Sequence, residues 1–389
     1  MPLVVAIPAF RGTDLADSLS FTAGTVYAAG GNDRVTLLGT GRAFGGSGND
    51  SFFMGNLAGQ QAFGGFGDDF FSVTGTGALQ CAIKGGVGND TVVFRGAMSA
   101  TVETDEGIGL LRGVENILSY TGGLTLRVLA DRTHITAFGT IANTINIAEQ
   151  TADRVLITLA GGNDVVNVGG DSHRIDTGSG NDRVVASGTD MTVSMGSGND
   201  TLSAVGIEPT SQFELVSRFD TGGGNDVASL SGQGQLSMGR GNDTLTYTGA
   251  AATESSYLSA DMGGGNDRVV STYYGAQEGG VNLGAGADVM VFRGVVTAGA
   301  SVITGLGADT LVFEDMALDG SLRIDFNVLQ DRLDLSFFGI DALTGVSAAT
   351  QVGADVVLFV ADPSDPQAEG LTLTLSNTQL SLVTDAIFV

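Results

Sequence analysis

The 389-residue sequence has a single cysteine, Cys81, so no intrachain disulfide can staple it. That residue reads instead as a small buried hydrophobe. Only two histidines are present, His134 and His173. They supply a zinc centre or a histidine-based triad poorly, and neither HExxH nor GxSxG occurs. His134, beside Arg132 and Thr133, is expected at the surface, and His173, after a Gly-Gly-Asp-Ser run, on a loop. Basic residues number 17 against 43 acidic, a net charge of −26. Nucleic acid is therefore not the expected partner, and anionic membranes would repel the chain. No apolar run of about 20 residues exists, which excludes a transmembrane helix. The start, MPLVVAIPAF, lacks a basic beginning, a long apolar run and a small-residue cleavage site, and Pro8 interrupts it. No secretory leader is expected there.

What the chain has is glycine, 61 residues against 5 prolines, with 42% of residues hydrophobic. That profile fits a glycine-turned β architecture better than a disordered linker. The glycines are organised in a six-residue unit, GGSGND at Gly45–Asp50, which recurs whole or worn eleven more times. The other copies end at Asp33, Asp69, Asp90, Asp164, Asp182, Asp200, Asp226, Asp243, Asp267, Asp288 and Asp309. Two positions after each aspartate stands an apolar residue, from Val35 and Phe52 to Met290 and Leu311. Four positions after it the residue is again apolar, except at Ser271. Seven positions before it, from Ala43 to Val302, all are apolar. Alternation of this kind puts one strand before each glycine loop and one after it, both facing a core.

The motif aspartates lie 17, 19 and 21 residues apart in a first block, and 18, 18, 26, 17, 24, 21 and 21 apart in a second. Two strands and two loops therefore close one coil in roughly 18 residues, and stacked coils pair in parallel about 4.8 Å apart. Twelve coils would make a rod on the order of 60 Å long. The expected fold is all-β, a parallel β-roll or β-solenoid. The spacing variation is assigned to the loop opposite the motif, with GIEPTSQFELVSR and ESSYLSADMGG as bulges. The expected organisation is an N-terminal cap at 1–27, a first repeat block at 28–94, degenerate coils or an insertion at 95–158, a second block at 159–313, and a β-rich C-terminal cap at 314–389. A cap is physically required, because the last coil of a solenoid exposes its ladder ends.

The glycine- and aspartate-rich unit resembles the nonapeptide of the RTX family, the hemolysin-type calcium-binding repeats. The resemblance implies a β-roll whose glycine-rich loops hold Ca²⁺ between adjacent turns. It assigns the ligands to Asp33, Asp50, Asp69, Asp90, Asp164, Asp182, Asp200, Asp226, Asp243, Asp267, Asp288 and Asp309. Loop carbonyls would complete the sites at Gly45, Ser47, Gly64, Phe66, Gly85 and Val87 in the first block. In the second they are those of Gly178, Gly180, Gly196, Gly198, Gly222, Gly224, Gly239, Gly241, Gly263 and Gly265. Hard oxygen donors of this kind suit Ca²⁺ and disfavour transition metals. The motif occurs once per coil here, not in tandem as in that family. The expectation is a single row of about ten ions along one edge. Asp288 and Asp309 have alanine where asparagine is usual, and Asp33 and Asp164 lack the first two glycines.

Arg323–Ile340, RIDFNVLQDRLDLSFFGI, is similar to the segment that closes many RTX rolls, and the final DAIFV resembles the end of type I secretion signals. What the resemblance implies is an exported protein, read by a type I exporter through its C-terminus, that folds on calcium outside the cell. The bland reading of DAIFV is a last core strand. Strands such as TVVF and VMVF are apolar on both faces, with Phe53, Phe70, Val93, Val165, Val185, Val227, Val270, Val289, Val291 and Val312 pointing outward. That pattern calls for a cover, either another part of the chain or another copy. The function expected is a secreted or cell-surface structural element, such as a surface layer, matrix protein or adhesin, and not an enzyme. The rival is a secreted β-helical carbohydrate-active enzyme that uses carboxylates.

Overall fold

The alternation that follows each motif aspartate places every second side chain on one side of a strand, and two such strands per turn enclose a core. The computed structural model describes residues 9–147, 152–207, 217–249, 258–274, 280–296, 299–316, 319–361 and 370–389. It is 56% strand and 4% helix, and its parallel sheets form a β-solenoid. The chain divides into two compact units, Met1–Val184 and Val185–Val389.

In the first unit the strands that precede the loops, Gly41–Ser47, Gln60–Phe66 and Ala82–Val87, pair in parallel with Ala43, Ala62 and Ile83 in register. The strands that follow them, Ser51–Gly55, Phe70–Thr74 and Thr91–Arg95, form the opposite sheet with Phe52, Phe71 and Val92 aligned. All six aligned residues are buried. The Phe52 and Phe71 rings stack 4.9 Å apart, and each such ring contributes roughly 1.5–3 kcal/mol by burial. The motif-free stretch continues both sheets. Met98–Glu103, Leu124–Val128 and Thr144–Ile147 extend one, and Asn116–Ser119, His134–Ala137 and Leu156–Leu159 the other. It can do so because it keeps the alternation: Ile117, Ile135, Ile145 and Ile157 are fully buried although no glycine loop precedes most of them.

The second unit repeats the scheme. Thr192–Ser194, Arg218–Asp220, Gly234–Ser237, Leu258–Asp261, Gly280–Asn282, Ala300–Ile303 and Asp319–Asp325 form one parallel ladder. Val227–Gly232, Thr244–Thr248, Arg268–Tyr274, Val289–Val296 and Thr310–Met316 form the other. The first proposed bulge, GIEPTSQFELVSR, falls largely outside the described residues; of the second, ESSYLSADMGG, the described part is no bulge, because Leu258–Asp261 is a ladder strand that buries Leu258 and Ala260. The ladder ends by changing direction. Gly370–Ser376 adds in parallel to Asp319–Asp325, then Asp355–Val360 and Ala348–Val352 add antiparallel. An antiparallel hairpin presents a different edge from the one a further coil would need, so it stops the stack. The C-terminal residues complete this cap. Ile387 and Phe388 are buried, and Phe388 bridges to Leu333.

The outward apolar positions are covered unequally. Val93 and Val291 are each 2% exposed and Val227 is 49% exposed. Phe53 lies under the Arg34 guanidinium, 3.7 Å from its ring centroid. Cys81 is buried, and burial pushes its thiol up to about 12. His134 is exposed. His173 is buried in the turn after Val165–Gly169, accepting the Val155 N–H on Nδ1 with Nε2 3.2 Å from the Gly169 carbonyl oxygen. Burial holds its pKa below the ordinary value.

Ser271 is a polar residue in an alternating core position, set in register between Tyr247 and Phe292. It is fully buried and its hydroxyl has no hydrogen-bond partner among the described residues. Ser271→Ala is expected to stabilise the fold by about 1 kcal/mol, because an unsatisfied buried hydroxyl is removed without leaving a large void. The urea midpoint checks this.

Candidate metal centre

The motif loops stack so closely that glycine is required two residues before the aspartate. A Cβ on Gly241 would sit 1.7 Å from the carbonyl oxygen of Gly224, and φ there is +132°. A Cβ on Gly48 would likewise meet the Gly31 oxygen at 2.1 Å. These contacts bring each loop's backbone against the equivalent backbone one turn away. Hydrogen bonds then tie the loops directly: Gly48 N donates to Phe66 O at 2.9 Å, and Gly224 N to Arg240 O at 2.8 Å.

Side chains add two stitches per turn, running in opposite directions. The motif aspartate accepts the N–H of the aspartate in the preceding turn. Asp33 N donates to Asp50 Oδ1 at 2.8 Å, Asp50 N to Asp69 Oδ1 at 2.8 Å, and Asp69 N to Asp90 Oδ1 at 2.8 Å. Asp164 N donates in the same way to Asp182 Oδ1. In the second unit the series runs Asp200, Asp226, Asp243, Asp267, Asp288 and Asp309 with distances of 2.7–2.8 Å. The motif asparagine does the reverse and accepts from the following turn. Asn49 N donates to Asn32 Oδ1, and Asn242 N to Asn225 Oδ1. Ala287 N still donates to Asn266, but Ala287 offers no acceptor to the turn after it.

Four members of these ladders lack the motif. Asp17 N starts the first ladder by donating to Asp33 Oδ1, and Glu115 ends it by accepting from Asp90 N. Asn143 starts another, with its N and Nδ2 both donating to Asp164 Oδ1. Asp331 closes the series in the second unit, accepting from Asp309 N, Thr304 Oγ1 and Asn327 N. The signal that finds them is the apolar phase, not glycine: Leu19, Ile117, Ile145 and Leu333 stand two positions after each. A further row lies outside the motif. Asp153 N donates to Asp131 Oδ1 and Asp171 N to Asp153 Oδ1.

The expectation of one occupied edge is not met by the aspartates of the first unit. Asp33, Asp50, Asp69 and Asp90 lie where the chain leaves the sheet of Gly41–Ser47 for that of Ser51–Gly55. Asn143, Asp164 and Asp182 lie where it returns. The motif-free turns between them shift the phase by half a coil. The first motif position changes with the edge: Gly45, Gly64 and Gly85 in the first row, Leu159 and Thr177 in the other.

Each ladder aspartate uses Oδ1 in its stitch. Oδ2 of Asp33, Asp50, Asp69, Asp90, Asp164, Asp243 and Asp267 is buried with no hydrogen-bond partner among the described residues. Burial dominates their titration, opposed by the backbone hydrogen bond. It pushes Asp50 up to about 6, and Asp69 and Asp90 up to about 7. Asp164, Asp243 and Asp267 are raised to about 6 for the same reason. A buried carboxylate with an idle oxygen must be protonated or compensated by a cation.

The donor set fits a hard cation best in the first row. A Cβ on Gly64 would lie 2.0 Å from Asp69 Oδ2 and 2.5 Å from the Gly85 oxygen, so the idle oxygen and the next turn's carbonyl converge over a bare glycine. Gly45 stands in the same relation to Asp50 and Gly64, and Gly85 to Asp90 and Gly113. In the second unit, buried Met238, Met262 and Leu283 hold that first position, and Thr221 and Thr304 place a hydroxyl there. Among the described residues no three His, Cys, Asp or Glu side chains converge. An ion would therefore draw most of its oxygens from the backbone, which is Ca²⁺ chemistry and not that of zinc. No protein-family model matches the chain, and a search of curated proteins returned no significant match.

A pH dependence follows from the burial. Asp50, Asp69, Asp90, Asp164, Asp243 and Asp267 have folded-state pKa values above the unfolded ones. Their stabilising contribution in metal-free protein is thus complete below about pH 4 and is lost as pH rises through the 6–7 range. With chelator present, the melting temperature is expected to fall between pH 5 and pH 8, the window that brackets the folded-state values of about 6 and about 7. Differential scanning calorimetry across that range reads it.

Proposed function

We propose that the chain is a calcium-binding β-solenoid that serves as an extracellular structural element, of the kind found in surface layers, matrices or adhesins. The observation that carries the reading is the row of buried, idle carboxylate oxygens at Asp50, Asp69 and Asp90, each converging with a carbonyl of the next turn. A bound divalent cation supplies the positive charge that these oxygens face alone. The further ladder aspartates, as far as Asp309, extend the reading to multiple ions, with the first row the best supplied. The resemblance of the repeats to RTX proteins supports export through a type I system. On that reading the exporter engages the C-terminus before folding, since Ile387 and Phe388 are buried in the folded cap. Exposed Val227 and the half-covered Val270 and Val312 support self-association through an outer face.

Calcium titration followed by circular dichroism and calorimetry tests this reading. Calcium at 100-fold over its dissociation constant should add about 2.7 kcal/mol per site. Asp69→Asn separates the cation from a purely structural ladder. It keeps the Oδ1 acceptor for Asp50 N–H and removes the buried charge. The variant should be at least as stable as the parent in chelator and less stable in calcium, binding at least one ion fewer by equilibrium dialysis. Equal melting of parent and variant in calcium would sink the assignment.

A further inference from the structure

In the second unit, the outer face of the ladder from Thr192–Ser194 to Ala300–Ile303 forms a groove of about 840 Å³. It contains none of the ladder aspartates, so it stands apart from the calcium reading. Its floor is two columns of polar side chains. Arg218, Gln235 and Ser259 align in one, and Asp220, Asp261 and Asn282 belong to the other. Between the columns Phe219, Leu236, Ala260 and Val281 point inward and are buried, which fixes the floor. Parallel strands repeat the polar pairs about every 4.8 Å.

The polar groups are held in place by one another. Arg218 Nε donates to Gln235 Oε1 at 3.0 Å. Asn282 Nδ2 donates to Asp261 Oδ1 at 3.2 Å, and Gly263 N donates to the same oxygen at 3.2 Å. Fixed donors and acceptors of this type recognise hydroxyl groups, which can both give and accept. The charge of the floor narrows the occupant. One guanidinium stands against two carboxylates, in a chain of net charge −26. Polyanions are repelled, and the polar columns stand beside apolar surface that includes exposed Ile303, so the occupant must offer both hydroxyls and C–H faces. An extended chain that repeats a polyhydroxylated face meets both requirements.

We propose that this groove binds an uncharged polysaccharide lying along the ladder, roughly one sugar ring per rung of about 4.8 Å. Carboxylates of Asp220 and Asp261 accept sugar hydroxyls, and Arg218, Gln235 and Asn282 donate to them. Affinity electrophoresis of the full chain, in excess calcium, tests this with gels containing hydroxyethyl cellulose, xyloglucan, dextran or, as the polyanion, dextran sulfate. At least one uncharged polymer should retard the protein, and the double variant Gln235→Leu, Asn282→Leu should weaken that retardation roughly tenfold. Arg218→Gln is the second variant, and a loss of retardation with an unchanged melting temperature counts equally. The proposal is overturned if no uncharged polymer retards the parent, if only dextran sulfate does, or if well-folded variants migrate as the parent does.

Discussion

The carboxylate-to-amide bond between successive turns is the constraint on which the rest of the structure depends. Asp69 Oδ1 accepts the Asp50 N–H, and the same bond recurs along both units. Such a bond to a charged acceptor contributes about 1.5–3 kcal/mol and, more importantly, fixes which residue of one turn faces which of the next. Once the loop is in register, Phe52 must face Phe71 and Phe292 must face Phe313, and the core ladders assemble. The asparagine stitch runs the other way, so a slip in either direction breaks a side-chain hydrogen bond.

That bond uses only one oxygen of each aspartate, and its partner oxygen is buried by the tight stacking the glycines permit. Register and an electrostatic burden thus come from the same residue. The ends of the ladders show how the burden is avoided where the stack stops. Asp17 Oδ2 accepts from Thr13, and both oxygens of Asp331 are engaged. Asp50, Asp69 and Asp90 have no such escape among the described residues, and the need for a proton or a cation is built into their turns. Because each turn touches only its neighbours, a failure at one rung isolates the turns on either side.

Much of this was legible in the residues. The apolar phase around each motif aspartate named the core: Val35, Phe71, Leu245 and Phe313 are all buried where alternation put them. The ladder ends were not read, because Asp17, Glu115, Asn143 and Asp331 carry no glycine loop. The motif-free turns of Met98–Glu103 to Thr144–Ile147 hid a half-coil change of phase, which moves the aspartates to the other edge. Glycine spacing counts turns but does not say on which edge a turn begins.

The sequence by itself determined a parallel β-solenoid, because a period of two within strands and a near-constant repeat admit few other foldings. It also determined that acidic side chains would lie in rows. Only the tertiary structure decided which oxygen of each carboxylate is used and which is left over, since that depends on how closely a neighbouring turn approaches. It decided, too, that Gly64 leaves an open cradle beside Asp69 while Met238 occupies the equivalent place beside Asp243. Distances between turns are set by packing across the stack, and no single repeat contains them.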